Sequence, residues 1–133
     1  MQLQIGVKVV IKNSEGRYLF IQRTELLQNE QEVSWDIPGG RIDAEEELRQ
    51  ALNREVLEEL GIKLQGIPKL INAQDIFVSA KDLHVVRLTY LLSQDIDTVV
   101  LSGEHQAYQW LGLDEIGTIN IDSYLKETLG LLQ

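Results

Sequence analysis

Near its start the chain alternates apolar and polar positions with a period of two. Between residues 3 and 12 the apolar members include Val7, Val9, Val10 and Ile11, and Asn13-Ser14-Glu15-Gly16 then supplies turn formers. This pattern predicts a strand, a turn and a returning strand over residues 17–22, forming a hairpin. Residues 24–34 are polar without a period and are expected to form a loop. Trp35-Asp36-Ile37 carries a short strand signal that Pro38-Gly39-Gly40 stops, predicting a tight turn. A helical period follows. Asp43, three residues before Glu46, makes a capping pair that starts a helix at about Ala44, and Gly61 stands where a left-handed cap ends it.

Strand periodicity returns in Lys69–Val78 and in residues 82–92, on either side of Ser79-Ala80-Lys81. In the second of these, Val86, Leu88, Tyr90 and Leu92 alternate. A short strand over residues 108–111 and a final helix over about 121–131 complete the pattern, with Tyr124, Leu125, Leu129 and Leu132 as the helix's buried seam. Strands on both sides of a central helix, plus one terminal helix, predict an α/β fold in which a mixed sheet is clamped between helices. No repeat, linker or low-complexity tract divides the 133 residues, so one domain spanning 1–133 is expected.

The central helix carries the chemistry. With Glu55 set at zero, a step of about 100° per residue puts Glu58 near −60° and Glu59 near +40°, so the three carboxylates share one face. One turn earlier the same arc holds Leu48, Ala51 and Leu52, which are apolar. The acidic cluster therefore continues a buried face, whereas a solvated stripe would lie opposite the core. Like charges at these spacings repel, and a divalent cation resolves the conflict. Oxygen donors without any cysteine point to a hard ion, Mg2+ or alternatively Mn2+. Arg54, four residues before Glu58, is placed to hold that carboxylate. On the same extended wheel Glu46 lies about 180° from Glu55, which suits a supporting role near Arg54 better than direct ligation.

Gly40, Glu46, Arg54, Glu55, Glu58, Glu59 and Gly61, with Val56 and Ile62 in two aliphatic slots, read Gly-x5-Glu-x7-Arg-Glu-U-x-Glu-Glu-x-Gly-U, where U is a bulky aliphatic. At roughly 7% usage per residue type, the seven fixed positions arise by chance about once in 10^8 trials. This is the Nudix box, and the chain is identified by it as resembling the Nudix hydrolases. The resemblance implies an α/β/α sandwich and metal-dependent hydrolysis of a diphosphate linkage. It adds the Gly39 carbonyl to the metal ligands Glu55, Glu58 and Glu59, with Gly40, Glu46 and Gly61 in supporting places. Glu104-His105-Gln106-Ala107-Tyr108-Gln109-Trp110, followed by Leu113-Asp114-Glu115-Ile116, is similar to the late acidic loop, aromatic strand and short turn of many such enzymes. Where many relatives carry a second acid this chain has Ala107, which leaves Glu104 as the late-loop carboxylate. The general base is expected to be Glu59 first and Glu104 second.

The substrate side is read from fewer residues. Arg23 either reaches phosphate or is a solvated strand end. Asn120 matches the place where MutT-like enzymes put an asparagine that reads a purine edge, and asparagine is equally a good helix N-cap. Trp35 and Tyr90 either stack on a base or pack in the core, Trp110 is structural, and His84 and His105 are isolated, without metal-ligand spacing. The window Phe77-Val78-Ser79-Ala80 lacks the proline or tyrosine associated with ADP-ribose and dinucleoside polyphosphate subclasses. The late stretch 108–131 is most similar to MutT-like nucleoside triphosphate pyrophosphatases and GDP-mannose hydrolases, and the latter depart from the box at a glutamate this chain keeps. A nucleoside triphosphate cleaved to monophosphate and pyrophosphate is therefore expected. A nucleotide-sugar or ADP-ribose pyrophosphatase and a non-catalytic nucleotide-binding module are the alternatives.

Composition narrows the partners. A net charge of −9 repels nucleic acid and anionic membranes, which call for basic patches, and it disfavours an RNA-end hydrolase. It does not exclude a phosphorylated small molecule, because a bound cation reverses the local sign. No leader and no apolar run of about 18 residues is present, so a cytoplasmic monomer or homodimer is expected. The absence of cysteine rules out disulfides.

Overall fold

A computed structural model of the chain describes residues 1–26 and 30–133. The loop expected over 24–34 lies partly outside the described residues. The first strand, β1 (Gln2–Lys12), pairs in parallel with β6 (Leu83–Ser93) along its whole length, from Gln2 against Leu83 to Lys12 against Ser93. Its other edge is shared. Gly6, Val7 and Lys8 take β4 (Gly39–Arg41) antiparallel, while β2 (Tyr18–Arg23) touches β1 at the single pair Lys12 and Tyr18. β2 then turns away to pair with β3 (Trp35–Asp36) and β7 (His105–Leu111), and β5 (Lys69–Val78) closes the other side against β6.

The expected hairpin is thus a corner. Its turn forms, with the Asn13 N–H donating to the Arg17 carbonyl at 2.9 Å, but the ladder does not continue. Val7, Val9, Val10 and Ile11 are all fully buried, so β1 needs cover on both faces. A parallel partner in mid-sheet suits such a strand better than a half-exposed hairpin. Pro38-Gly39-Gly40, expected as a tight turn, instead enters β4 and runs along β1. β7 begins three residues before the expected start and follows β2 to its end.

Helix α1 (Leu48–Leu60) covers the face that carries Val7, Val9 and Ile11, using Ala51, Leu52, Val56 and Leu60. Helix α2 (Ser123–Gly130) covers the opposite face, where Leu125 and Leu129 meet Val10, Phe20, Ile37 and Leu111. The architecture is the mixed α/β/α sandwich. Among the described residues no helix is long and apolar enough to cross a membrane.

α1 starts four residues later than expected. Glu45 sits at φ 68°, a left-handed conformation that a helix interior excludes. The Asp43–Glu46 pair does form, the Asp43 N–H donating to the Glu46 carboxylate at 3.0 Å, but it closes a turn ahead of the helix. The cap passes to Glu47, whose N–H donates to the Gln50 side chain at 3.3 Å. Gly61, at φ 67°, ends the helix as expected, its N–H on the Leu57 carbonyl.

α2 is capped by Asp122, which accepts from the Leu125 N–H at 2.7 Å; Asn120 is not the cap. Asn120 instead accepts from the Trp35 N–H through its backbone carbonyl, at 2.8 Å. Asp122→Ala is expected to lower stability by about 1 kcal/mol, and Asn120→Ala to change it by less than about 0.5 kcal/mol, as read by urea unfolding. Equal losses in the two variants would overturn this assignment of the cap.

Candidate active site

β4 is threaded between β1 and α1 at a distance that only glycine permits. Gly39 sits at φ 142°, and a Cβ there would lie 2.1 Å from the Val7 carbonyl oxygen. A Cβ on Gly40 would lie 2.5 Å from the Glu55 carboxyl carbon. With no side chain in the way, the Gly39 N–H donates to Glu59 Oε1 at 2.8 Å. The late loop reaches the same place, because the Ser102 N–H donates to the Glu59 carbonyl and the Thr24 N–H to the Glu104 carbonyl, both at 3.0 Å. The result is a cleft of about 530 Å³ whose walls include Gly39, Gly40, Glu55, Glu58, Glu59 and Glu104.

Arg54 ties one side of this cleft together. It was expected to hold Glu58, yet both Glu58 oxygens stand 3.5 Å from its Nη1. Its short bonds go to Glu46, at 2.7 Å from Nε and 3.0 Å from Nη2, and to Glu55 at 3.0 Å. Because α1 begins only at Leu48, Glu46 is free of the helical wheel and folds back over the guanidinium. Hydrogen bonds from Arg54 and then from the Asp43 N–H lower the Glu46 pKa to about 2. Arg54 itself is raised, first by Glu46 and further by Glu55.

Glu59 is the buried member, 8% exposed. Burial raises its pKa to about 7, with Glu55 and Asp36 adding to the rise while Lys8 and the Gly39 N–H oppose it. Glu58 remains well exposed. Among the described residues no three His, Cys, Asp or Glu side chains converge on one point; the carboxylates line the cleft without closing on a centre. The donor set is oxygen only, and a buried carboxylate under like-charge pressure is the kind of group a hard cation stabilises.

Around the cleft the structure adds partners that the sequence did not single out or left as isolated. Lys8 Nζ donates to Asp36 Oδ2 at 2.9 Å and to the Ile37 carbonyl at 3.2 Å, behind the glycine segment. Burial pushes Asp36 up, but the charge and hydrogen bond of Lys8, helped by Arg87, leave it below the ordinary value. His105, taken as isolated, is half-buried with its side chain largely covered and Nε2 3.6 Å from Glu59 Oε2. Burial and Lys8 lower its pKa, so this contact brings a neutral imidazole to the carboxyl. The signal for Lys8 was a charge inside an otherwise aliphatic strand; for His105 there was only its place beside Glu104. His84 is not isolated either, lying 2.8 Å from Asp75 and stacking on Phe77.

The remaining candidates fall elsewhere around the sheet. Arg23 is half-buried and pairs with Glu30 at 3.5 Å, so it is no solvated strand end. Trp35 packs on the α2-side core, while Tyr90 and Trp110 pack on the α1-side core. Asn120 meets the backbone of Trp35, which places these two together at the entrance to α2.

A family model described as the NUDIX domain matches residues 2–129. The chain belongs to the Nudix family. It is 32% identical over 111 residues to the CTP pyrophosphohydrolase of Escherichia coli, covering 84% of this chain and 78% of that protein. It is also 32% identical over 127 residues to the asymmetrical bis(5'-nucleosyl)-tetraphosphatase of Rattus norvegicus, covering 90% and 80%. The crystal structure of a MutT Nudix hydrolase from Burkholderia pseudomallei superposes with a TM-score of 0.86 at 27% identity, covering 100% of both chains. The protein is accordingly a Nudix hydrolase, of a family acting on nucleoside diphosphate derivatives or dinucleotide polyphosphates.

The buried glutamate of this Nudix chain gives a pH signature. Folded Glu59 keeps its proton up to about pH 7, whereas an ordinary glutamate loses it near 4.5. Between those values the folded state binds more protons, so stability falls as pH rises through the window. In the presence of chelator, Glu59→Gln is expected to raise Tm at pH 7.5, by up to about 3 kcal/mol of stability, and to match wild type below pH 4.5. A constant difference across the whole range would show that Glu59 does not titrate in this way.

Proposed function

We propose that this Nudix hydrolase cleaves a nucleoside triphosphate to the monophosphate and pyrophosphate by water attack at phosphorus. The observation that carries the reading is the cleft where Glu55, Glu58 and Glu59 of one helix face meet Glu104 and the Gly39-Gly40 backbone. Its similarity to the CTP pyrophosphohydrolase over most of both chains supports a triphosphate. Glu55, Glu58, Glu59, Glu104 and the Gly39 carbonyl would hold Mg2+, with Mn2+ as the alternative. When bound, the ion neutralises phosphoryl oxygens and lowers the pKa of water.

The chain's own residues do the rest. Arg54 orients Glu55 directly and Glu46 holds Arg54 in turn, so the donor set is preorganised before substrate arrives. A carboxylate takes the proton of the attacking water, with Glu59 the first choice and Glu104 the second. Arg23, Trp35 and Asn120 are the residues assigned to substrate. A specific observation favours a second reading. The tetraphosphatase is equally similar and covers slightly more of the chain, so dinucleoside polyphosphates remain a substrate class despite the Phe77-Val78-Ser79-Ala80 window. Chain 1–133 acts here as a single domain, cytoplasmic, as a monomer or homodimer.

Three measurements test the reading. Incubation with Mg2+ and a panel of nucleoside triphosphates, dinucleoside polyphosphates, ADP-ribose and nucleotide sugars is expected to give monophosphate and pyrophosphate from the triphosphates. Release of nucleoside triphosphate from a dinucleotide at higher kcat/KM would favour the second reading. Hydrolysis should vanish with chelator and return with Mg2+ or Mn2+. Glu58→Gln and Glu59→Gln should each cost on the order of 10^2-fold in kcat while the chain stays folded. Wild-type turnover in both variants would remove them from the machinery.

A further inference from the structure

On the far side of β4 from the carboxylates lies a second hollow, of about 160 Å³, bordered by Gly6, Lys8, Gly40, Arg41, Val85 and Arg87. It shares Gly40 and Arg41 with the acidic cleft, so a substrate whose diphosphate lies over the glutamates can extend across β4 into it. At about 30 Å³ per water it has room for about five waters, enough for a small ring system and too little for a whole nucleotide. Its floor is bare by choice of residue. Gly6 pairs with Arg41 on one side and Arg87 on the other, yet a Cβ there would meet nothing closer than 3.8 Å. Packing does not impose this glycine; it leaves the hollow open.

The charges are nearly balanced. Lys8 is matched by Asp36 at 2.9 Å, and Arg87 has Asp122 at 3.6 Å. A further phosphate would require uncompensated positive charge, which among the described residues lining the hollow the exposed Arg41 at the rim alone supplies. A neutral polar group fits better. The hydrogen-bonding capacity left over on the two cations is that of donors, beside the Gln4 amide on the same lining, which can turn to donate or accept. Both Asp36 oxygens already accept, from the Ile37 N–H and from Lys8. Lys8 uses two of its three N–H groups. Among the described residues, the Arg87 guanidinium makes no hydrogen bond beyond its long approach to Asp122.

Resting on the nucleotide-hydrolase reading above, we infer that Lys8 and Arg87 read the base of the substrate and select one with a keto edge. Guanine offers O6 and N7, and uracil or thymine offers O4, all acceptors facing donors. Adenine and cytosine present an exocyclic amine at the corresponding place, a donor against donors.

The test is kcat/KM for GTP, UTP, ATP and CTP with Mg2+, together with binding of GMP, UMP, AMP and CMP in chelator, by calorimetry. The keto nucleotides are expected to lead by 10-fold or more in both. Arg87→Gln and Lys8→Met should bring the keto-to-amino ratio toward one, chiefly through KM. Gly6→Val, which fills the floor without disturbing the backbone, should raise KM for every base by 10-fold or more. Equal kcat/KM for all four triphosphates, or a Gly6→Val enzyme with unchanged KM, would overturn the inference and leave the hydrolase reading standing. If no triphosphate is hydrolysed, that reading fails, and the monophosphates decide the hollow by themselves. Tighter binding of GMP and UMP supports the inference, and equal binding of all four overturns it.

Discussion

The site depends on how closely a strand can pass between another strand and a helix. β4 approaches both β1 and α1 so tightly that a methyl group at Gly39 would strike the Val7 carbonyl and one at Gly40 the Glu55 carboxyl. That approach brings a backbone N–H within 2.8 Å of Glu59 and leaves the glycine segment and the helix carboxylates on one cleft. Because β1 holds β4 on one edge and β6 along the whole of the other, the cleft is attached to the middle of the sheet. Parallel pairing buries β1 on both faces, and the two helices it requires as cover position α1 against the glycines.

Around this contact the charges are arranged in opposed sets. The chain carries −9 overall, and Glu55, Glu58, Glu59 and Glu104 line the cleft, where burial raises Glu59 to about 7. Two cations hold the surroundings in register without neutralising them. Arg54 gathers Glu46 and Glu55 from one side, and Lys8 clasps Asp36 and the Ile37 carbonyl from behind. Each cation spends its hydrogen bonds on residues that shape the cleft, leaving Glu58 exposed and Glu59 under like-charge pressure. A buried carboxylate in that condition favours either a proton or a cation, which links the stability of the chain to what occupies the cleft.

Much of this was legible in one dimension. Periodicity placed the long strands β5 and β6, the turn after Lys12 and the Gly61 stop, since these depend on neighbours two to four residues away. The acidic face of α1 was equally legible, because a helix converts the spacing of Glu55, Glu58 and Glu59 directly into proximity. Local signals misled where two competed. The Asp43–Glu46 pair looked like a cap, but Glu45 in a left-handed conformation turns it into a preceding turn. Asn120 looked like a cap, while Asp122 two residues on makes the bond.

By itself, then, the sequence determined the family, the sandwich class and the carboxylates that share one helix face, because motif spacing on a helix is a local property. Only the tertiary structure decided which groups surround those carboxylates. Parallel pairing of β1 with β6 puts Lys8 and Arg87, 79 positions apart in sequence number, beside one hollow. The return of β7 along β2 sets His105 against Glu59. No period or spacing encodes such meetings. They follow from which strands find each other's edges, a choice made by burying the aliphatic run of β1 on both sides at once.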